Sequence, residues 1–510
     1  MKKFHTWHVL SSGRRHQYWR AALVGLLAGG VALLFQRSLE SAEAIRNHFL
    51  ATLHLSSPSW GWLALPVLGA LIGVFVGWMT SRFAPEASGS GIPNVKGVLM
   101  HVSTLSWKRI LPVKFLGGLL CIGAGFSLGR EGPTVQMGAA VAKFVSDVLR
   151  VPAKASPRLM ACGAGAGLAA AFHAPLAGFI FTVEELQREF SSLTYAMALI
   201  AAVVADIVTT SYRGSANAFH ASGFPAASLS SLPVCVTIGI MAGFSGAAFN
   251  KSLLSLQNFS HQHLKAPAWV RAGIAGAVVG LIAWWLPEAV GGGHQIVEHM
   301  LHGGFVGSES VRFLLLLFAG KFLLTLLCYV SGVPGGIFAP MLVIGACVGL
   351  LTGIGASVTL PALAPTPESF AVVGMAAFFS AVVRAPLTGI VLVLEMTGDY
   401  QQLLPVLTGS MVAYVLSERL GIDPIYDALL SYDIQRKNPD VPAHREPVLL
   451  EFVIQEESAM DGRRIKDVPL PERCLFVTVT RNGNDILPDG NTELHRGDHI
   501  TAVISGANAA

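Results

Sequence analysis

The stretch Lys114-Phe115-Leu116, Leu119-Leu120-Cys121, Gly125, Gly129, Pro133 is written a second time as Lys321-Phe322-Leu323, Leu326-Leu327-Cys328, Gly332, Gly336, Pro340. The offset is the same at both ends, since 321 − 114 = 207 and 340 − 133 = 207, and it carries on through Gly138 with Gly345 and Val141 with Val348. Identity at one fixed offset over such a span marks an internal duplication. A second pair follows at 385 − 174 = 211: Ala174-Pro175-Leu176-Ala177-Gly178 with Glu184, and Ala385-Pro386-Leu387-Thr388-Gly389 with Glu395. The chain therefore reads as two related halves, roughly 20–215 and 230–425. Whatever one half folds into, the other must be able to fold into as well.

The repeated blocks lie in apolar stretches that recur from Ala22 to the neighbourhood of Val415. Only 13% of residues are charged and 52% are hydrophobic, against ~25% charged in ordinary soluble domains. This composition predicts an all-α polytopic membrane protein. The first apolar segments are Ala22–Phe35 and Trp60–Met79; between them, Gln36 to Ser59 continues a helix-like pattern and then turns polar. Many stretches are interrupted by Gly or Pro, as in broken helices that line a pathway. Duplicated transporters often have halves of inverted topology, with discontinuous and re-entrant helices meeting at the substrate. Two inverted repeats are accordingly expected.

A net charge of +4 is too small, on 510 residues, to argue for nucleic acid. Its distribution says more: Lys2, Lys3, Arg14, Arg15 and Arg20 precede the first apolar run, which predicts a cytoplasmic N-terminus by the positive-inside rule. No short apolar region with a cleavage site reads as a signal peptide. The six scattered cysteines suggest neither a disulfide framework nor a metal site. Nothing resembles an HExxH or Gly-x-Ser-x-Gly motif, so an intramembrane enzyme is disfavoured.

Gly129-Arg130-Glu131-Gly132-Pro133 puts a carboxylate between the apolar run Phe115–Leu128 and a helix predicted over Thr134–Val145, with its first turn at Pro133. A charge at mid-membrane costs at least ~2.5–3.5 kcal/mol. The unpaired N–H groups of a helix start, with the helix dipole, make an anion site, and Glu131 can fill that site or leave it when protonated. The alternative is a loop glutamate facing water. Its counterpart in the second half is Phe338, within Gly336-Ile337-Phe338-Ala339-Pro340. Ser88-Gly89-Ser90-Gly91-Ile92-Pro93 is a Gly-rich turn ending on a Pro suited to a helix start; its amides and the Ser90 hydroxyl can point at one anion, although an ordinary loop has the same composition. Lys114 either snorkels to an interface or raises the positive potential of the pathway, whereas for Lys321 snorkelling is expected. Arg130 and Arg384 are expected to fix helix ends.

Past Ser417 the character changes. Asp423-Pro424-Ile425-Tyr426-Asp427 follows the last apolar segment, a polar linker spans 431–446, and a small soluble α+β domain is predicted over 447–505. Val448–Ile454, Leu475–Thr480 and His499–Ile504 read as strands, and Asn482-Gly483 as a turn.

The Gly89–Pro93, Gly129–Pro133 and Gly336–Pro340 motifs and the late Tyr426, in this order, resemble the CLC family of chloride channels and chloride/proton exchangers over about residues 20–430. The tail is similar to the TrkA-C subdomain of potassium-transport regulators. The resemblance implies a chloride site made by Ser90, Gly91, Tyr426 and the backbone N–H groups of Ile337 and Phe338. Glu131 is then the external gating glutamate and Glu185 the internal proton-transfer glutamate. Family members that exchange chloride for protons carry a glutamate at the position of Glu185, so an antiporter is favoured over a passive channel. A membrane sensor working through its tail is a further reading. The duplication separates the two neighbouring acids: Glu184 matches Glu395 and is expected to be a shared structural carboxylate, while Glu185 matches Met396. Asn94 stands where the family usually has an acidic residue. The resemblance also implies a homodimer in a bacterial inner membrane and transport of chloride and protons without a cofactor. An even number of membrane crossings would make both termini cytoplasmic, and the tail could bind a small ligand.

Overall fold

Helices repeat where the sequence repeats. The computed structural model describes residues 2–56, 61–187, 192–214, 218–219, 224, 229–263, 266–303, 305, 308–364, 366–437, 448–454, 458, 460–468, 470, 474–481 and 484–504. Among these, the first half forms α1 (Lys2–Ser56), α2 (Gly61–Phe83), α3 (Ile92–Leu99), α4 (Trp107–Gly123), α5 (Glu131–Val148), α6 (Ser156–Phe172), α7 (Pro175–Phe181) and α8 (Ser192–Arg213). The second half forms α9 (Leu232–His263), α10 (Ala268–Trp285), α11 (His294–Leu301), α12 (Ser308–Val330), α13 (Phe338–Thr359), α14 (Ser369–Val383), α15 (Pro386–Thr397) and α16 (Leu403–Arg419), after which comes α17 (Ile425–Lys437). The packing repeats too: α1 lies on α8 as α9 lies on α16, and α5 on α6 as α13 on α14.

The halves are inverted. Along the contact between the equivalent helices α2 and α10, Leu65 meets Gly280, Gly69 meets Gly276 and Gly73 meets Ala272, so positions rise along one helix as they fall along the other. Small residues let these backbones come together. Both helices are long and apolar enough to cross a membrane, as are five more of the described helices. Equivalent spans that run in opposite directions enter the bilayer with opposite sense.

Local chemistry sets several ends. Pro175 and Pro386 open α7 and α15 at the first helical position, where the missing N–H is no loss. The C-caps of α6 and α14 are the equivalent residues His173 (φ 53°) and Arg384 (φ 66°), both left-handed. Arg384 donates to the Ile422 carbonyl at 2.8 Å and the Ser417 carbonyl at 3.4 Å, at the end of α16. It fixes a helix end, as expected.

The helix-like pattern past Gln36 continues in α1 through Ser56, and 57–59 lie outside the described residues. Two details differ from the sequence reading. α5 begins at Glu131 instead of Pro133, so the carboxylate belongs to the first helical residue. α17 continues to Lys437, into the stretch expected as linker; the remainder, 438–446, lies outside the described residues, as does the predicted turn Asn482-Gly483.

The chain divides into two compact units, Met1–Leu430 and Ser431–Ala510. The second contains an antiparallel sheet of β1 (Val448–Val453), β2 (Cys474–Arg481), β3 (Asn484–Ile486) and β4 (His499–Ile504), in the order β1-β4-β2-β3. Ile454, Phe476, Val479, Leu494 and Ile500 form its core. Gly497, at φ 83°, turns the chain into β4. Next to it, the buried Asp498 accepts two hydrogen bonds from the Arg481 guanidinium, at 2.8 and 2.7 Å, and one from the His495 N–H at 2.9 Å. These bonds hold the Asp498 carboxyl below the usual carboxylate range.

Candidate functional site

Three breaks between helices meet in the first unit. The Gly89 N–H donates to the Val333 carbonyl at 3.1 Å and the Gly335 N–H to the Gly89 carbonyl at 3.0 Å. Gly129 and Gly336 exchange both of their bonds, at 2.6 and 2.8 Å. Backbones this close leave no room for side chains. A Cβ on Gly132 would lie 2.6 Å from Ser90 Oγ and 3.0 Å from the Gly336 Cα. Gly91 caps α3 at φ 85°, and a side chain there would run into Gln136.

Around this knot, Ser90, Ile337, Phe338 and Tyr426 are fully buried and Glu131 is 2% exposed. Ile337 and Phe338 open α13, where backbone N–H groups have no acceptor within the helix. The Phe338 ring is taken up by Phe172 and Phe379, at centroid distances of 5.2 and 4.6 Å. The Tyr426 hydroxyl approaches that of Ser90 and lies within electrostatic range of Tyr329, Glu185 and Glu131. Ser90 Oγ, Tyr426 Oη and Glu131 Oε2 are nonetheless buried without a protein hydrogen-bond partner. Native structures rarely leave such atoms unpaired, and each costs about 1–3 kcal/mol. Two hydroxyl donors and a helix start, collected without acceptors of their own, suit a dehydrated anion.

The Glu131 carboxylate is turned back over Gly129, towards the Ala339 N–H in the first turn of α13. An added anion from one half thus reaches the helix start of the other. Beside it is a cavity of about 160 Å³, whose lining includes Glu40, Glu43, Arg130, Glu131 and His294. Arg130 is the N-cap of α5 but makes no side-chain cap hydrogen bond; it lines this cavity.

Lys114 and Lys321 do not snorkel, because both are fully buried. Lys114 donates to the carbonyls of Ala87 (2.9 Å) and Gly89 (2.6 Å); Lys321 donates to Ala289 (3.2 Å) and Gly291 (2.5 Å). Each lysine Nζ gathers the carbonyls of the loop ahead of α3 or α11, so in the first half the Ser90 loop is fixed from behind. These contacts expose a repeat that the sequence reading passed over: Pro85-Glu86-Ala87, Gly89, Gly91 recur as Pro287-Glu288-Ala289, Gly291, Gly293, with 287 − 85 = 202.

The neighbours Glu184 and Glu185 have different surroundings. Glu184 accepts from the N–H groups of Leu387 (3.1 Å) and Thr388 (2.7 Å) at the start of α15, and Glu395 accepts from Leu176 (3.0 Å) and Ala177 (2.7 Å) at the start of α7. Each carboxylate caps a helix of the opposite half. Glu185, in a π-helical turn over Thr182–Gln187 and 2% exposed, instead meets Lys96 Nζ at 2.8 Å. Lys96 also pairs with Asp427. Neither Lys96 nor Asp427 was singled out from the sequence, although one lysine inside the apolar helix Ile92–Leu99 was a visible signal. Asn94 accepts from Gln136 Nε2 at 3.1 Å, so this position faces a side-chain amide.

Residues 72–418 match the voltage-gated chloride channel family, and residues 449–510 match the TrkA-C domain. The chain belongs to the CLC family. It is 38% identical over 434 residues, 83% of this chain and 92% of the relative, to the H(+)/Cl(-) exchange transporter ClcA of Vibrio parahaemolyticus. ClcA of Vibrio cholerae is 39% identical over 414 residues, 80% of this chain and 87% of the relative. Among solved structures, a slow cyanobacterial Cl-/H+ antiporter superposes with a TM-score of 0.78 at 34% identity, covering 83% of this chain and 99% of that one. The protein is thus a multi-pass CLC membrane protein of a transporter family, not an enzyme, followed by a TrkA-C domain. The inverted helices belong to the CLC fold.

Proposed function

We propose that this CLC protein is a secondary-active chloride/proton antiporter. In this reading chloride is held by the hydroxyls of Ser90 and Tyr426, by the backbone at Gly91 and by the N–H groups of Ile337 and Phe338. These groups stabilise a halide without a full positive charge, so the ion can still leave. Glu131 is the external gate: ionised, it occupies an anion position; protonated, it gives that position up to chloride. One side chain then couples both ions. Glu185 passes protons from the cytoplasmic side. Both termini are cytoplasmic, 21–430 is the transport unit of a homodimer in a bacterial inner membrane, and 447–505 regulates it in response to a small ligand.

The observation that carries the reading is the Glu131 carboxylate, buried with an unpartnered oxygen and turned towards the Ala339 N–H at the start of α13. Named relatives that exchange protons for chloride support it. Simultaneous chloride and pH recording in liposomes tests it. Wild-type protein should drive protons uphill with a chloride gradient, and Glu131→Ala should still pass chloride while moving no protons. Proton pumping by Glu131→Ala would sink the mechanism; a wild-type chloride gradient that moves no protons would make the protein a passive channel.

A further inference from the structure

Lys96 sits on α3, where Ile92, Pro93, Val95, Gly97 and Val98 are all buried, and it is itself 2% exposed. A lysine that deep in protein keeps its charge only beside carboxylates. It has two, Glu185 and Asp427. These three groups, one cation and two carboxylates, carry a charge of −1 among themselves. Glu185 is sealed at 2% side-chain exposure, whereas Asp427 is 25% exposed. Asp427 directly follows Tyr426, and Lys96 lies on the helix that begins one residue past Gly91. The cluster therefore adjoins the two hydroxyls of the candidate anion site. Tyr426 on α17 also lies near Glu185, as does Glu184 in the same turn, which is committed to the amides of Leu387 and Thr388.

We propose that Asp427, Lys96 and Glu185 form a one-proton loading site, with Asp427 as its aqueous entry and Lys96 as the positioning residue; this rests on the antiporter reading above. A proton delivered by water forms an O–H bond on the Asp427 carboxylate and brings the cluster to neutrality. Lys96 then keeps its ion pair with Glu185 alone. Transfer of that proton to Glu185 exchanges the roles: Asp427 becomes the ion-paired carboxylate and Glu185 the neutral acid. Release towards Glu131 restores the charge of −1. Lys96 stays an ammonium throughout and donates no proton of its own. A second proton would leave the buried cation without a carboxylate, so the cluster loads one proton at a time, and its proton belongs to the pair rather than to either acid. Intramembrane acids paired in this way are the usual parts of proton relays.

The test is the proton-to-chloride flux ratio of the full-length protein in liposomes, with Glu185→Gln as control. Lys96→Met and Asp427→Asn should each lower the ratio at least fivefold, and Lys96→Arg should bring it back towards wild type. If Lys96 only ties α3 to α17, both fluxes will fall together at a constant ratio, and the proposal is overturned. It is also overturned if Asp427→Asn keeps the wild-type ratio; that variant can still hydrogen-bond Lys96 and stands as the test even if Lys96→Met does not fold. Glu185→Gln separates the two levels of inference. Wild-type coupling in that variant removes the antiporter reading of Glu185, whereas coupling lost there but kept in Asp427→Asn and Lys96→Met removes the loading site alone.

Discussion

Gly129 and Gly336 are counterparts across the duplication, and each is the other's hydrogen-bond partner in both directions, at 2.6 and 2.8 Å. The local axis relating the inverted halves passes between them. On either side of it the halves stop being alike, because Gly132 abuts Ser90 and Glu131 stands where the second half has Phe338. Gly132→Ala would set a methyl group 2.8 Å from the Ser90 carbonyl and 2.6 Å from its hydroxyl. Displacement of one donor by a few tenths of an ångström should weaken chloride binding about tenfold, or ~1.4 kcal/mol. Chloride titration calorimetry on the purified variant measures it.

Glu184 and Glu395 should act on stability and not on coupling. Removal of Glu184 strips the acceptor from the N–H of the buried Thr388, which costs about 1–3 kcal/mol. Glu184→Ala should therefore lower the melting temperature in detergent and leave the proton-to-chloride ratio as in wild type. Glu185→Ala should change that ratio. A coupling defect in Glu184→Ala would contradict its role as a cap.

Lys114 and Lys321 should differ in their effect on the anion. Lys114→Met frees the Ala87 and Gly89 carbonyls behind Ser90, and should raise the chloride concentration for half-maximal flux several-fold. Lys321→Met frees the Ala289 and Gly291 carbonyls, in a loop without a chloride-facing hydroxyl, and should chiefly lower stability. Flux against chloride concentration, with thermal melts of both variants, distinguishes them.

The tail should respond to pH through Asp498. Its carboxyl is held below the usual range, chiefly by the Arg481 guanidinium. A depressed carboxylate contributes stability above its unfolded pKa of ~3.9, and that stability is lost as pH falls through the folded value. Hydrogen exchange of the sheet amides in the intact chain should therefore be flat near neutrality and rise in protection loss only at strongly acidic pH. Asp498→Asn should remove ~1.5–3 kcal/mol at neutral pH and flatten that acid response.

Asn94 offers a charge test. Asn94→Glu would set a carboxylate in the first turn of α3, beside Gln136. The helix start tolerates that charge, so folding should hold while chloride affinity falls a few-fold, more at low salt than at high salt. Chloride titration at two ionic strengths measures it.

Motifs at a helix start were legible because breaks fall at Gly and Pro: Ser90, Glu131 and Ile337 each adjoin a Gly, and Phe338 stands two residues before Pro340. The structural role of Glu184 was legible because its partner Glu395 repeats it. Lys96 and Asp427 were not. Their meaning lies in a contact between positions 331 residues apart (427 − 96), and no local pattern carries that.

By itself the sequence determined that the chain lives in a membrane, that it is built twice, and where its helices break, because hydropathy, repetition and Gly/Pro breaks are properties of neighbouring residues. Only the tertiary structure decided that the halves run in opposite senses, that the lysines are buried among carbonyls, and that Glu185 shares a cation with Asp427. Those facts depend on which distant backbones can approach, and close packing without water then requires every buried charge to find its partner across the fold.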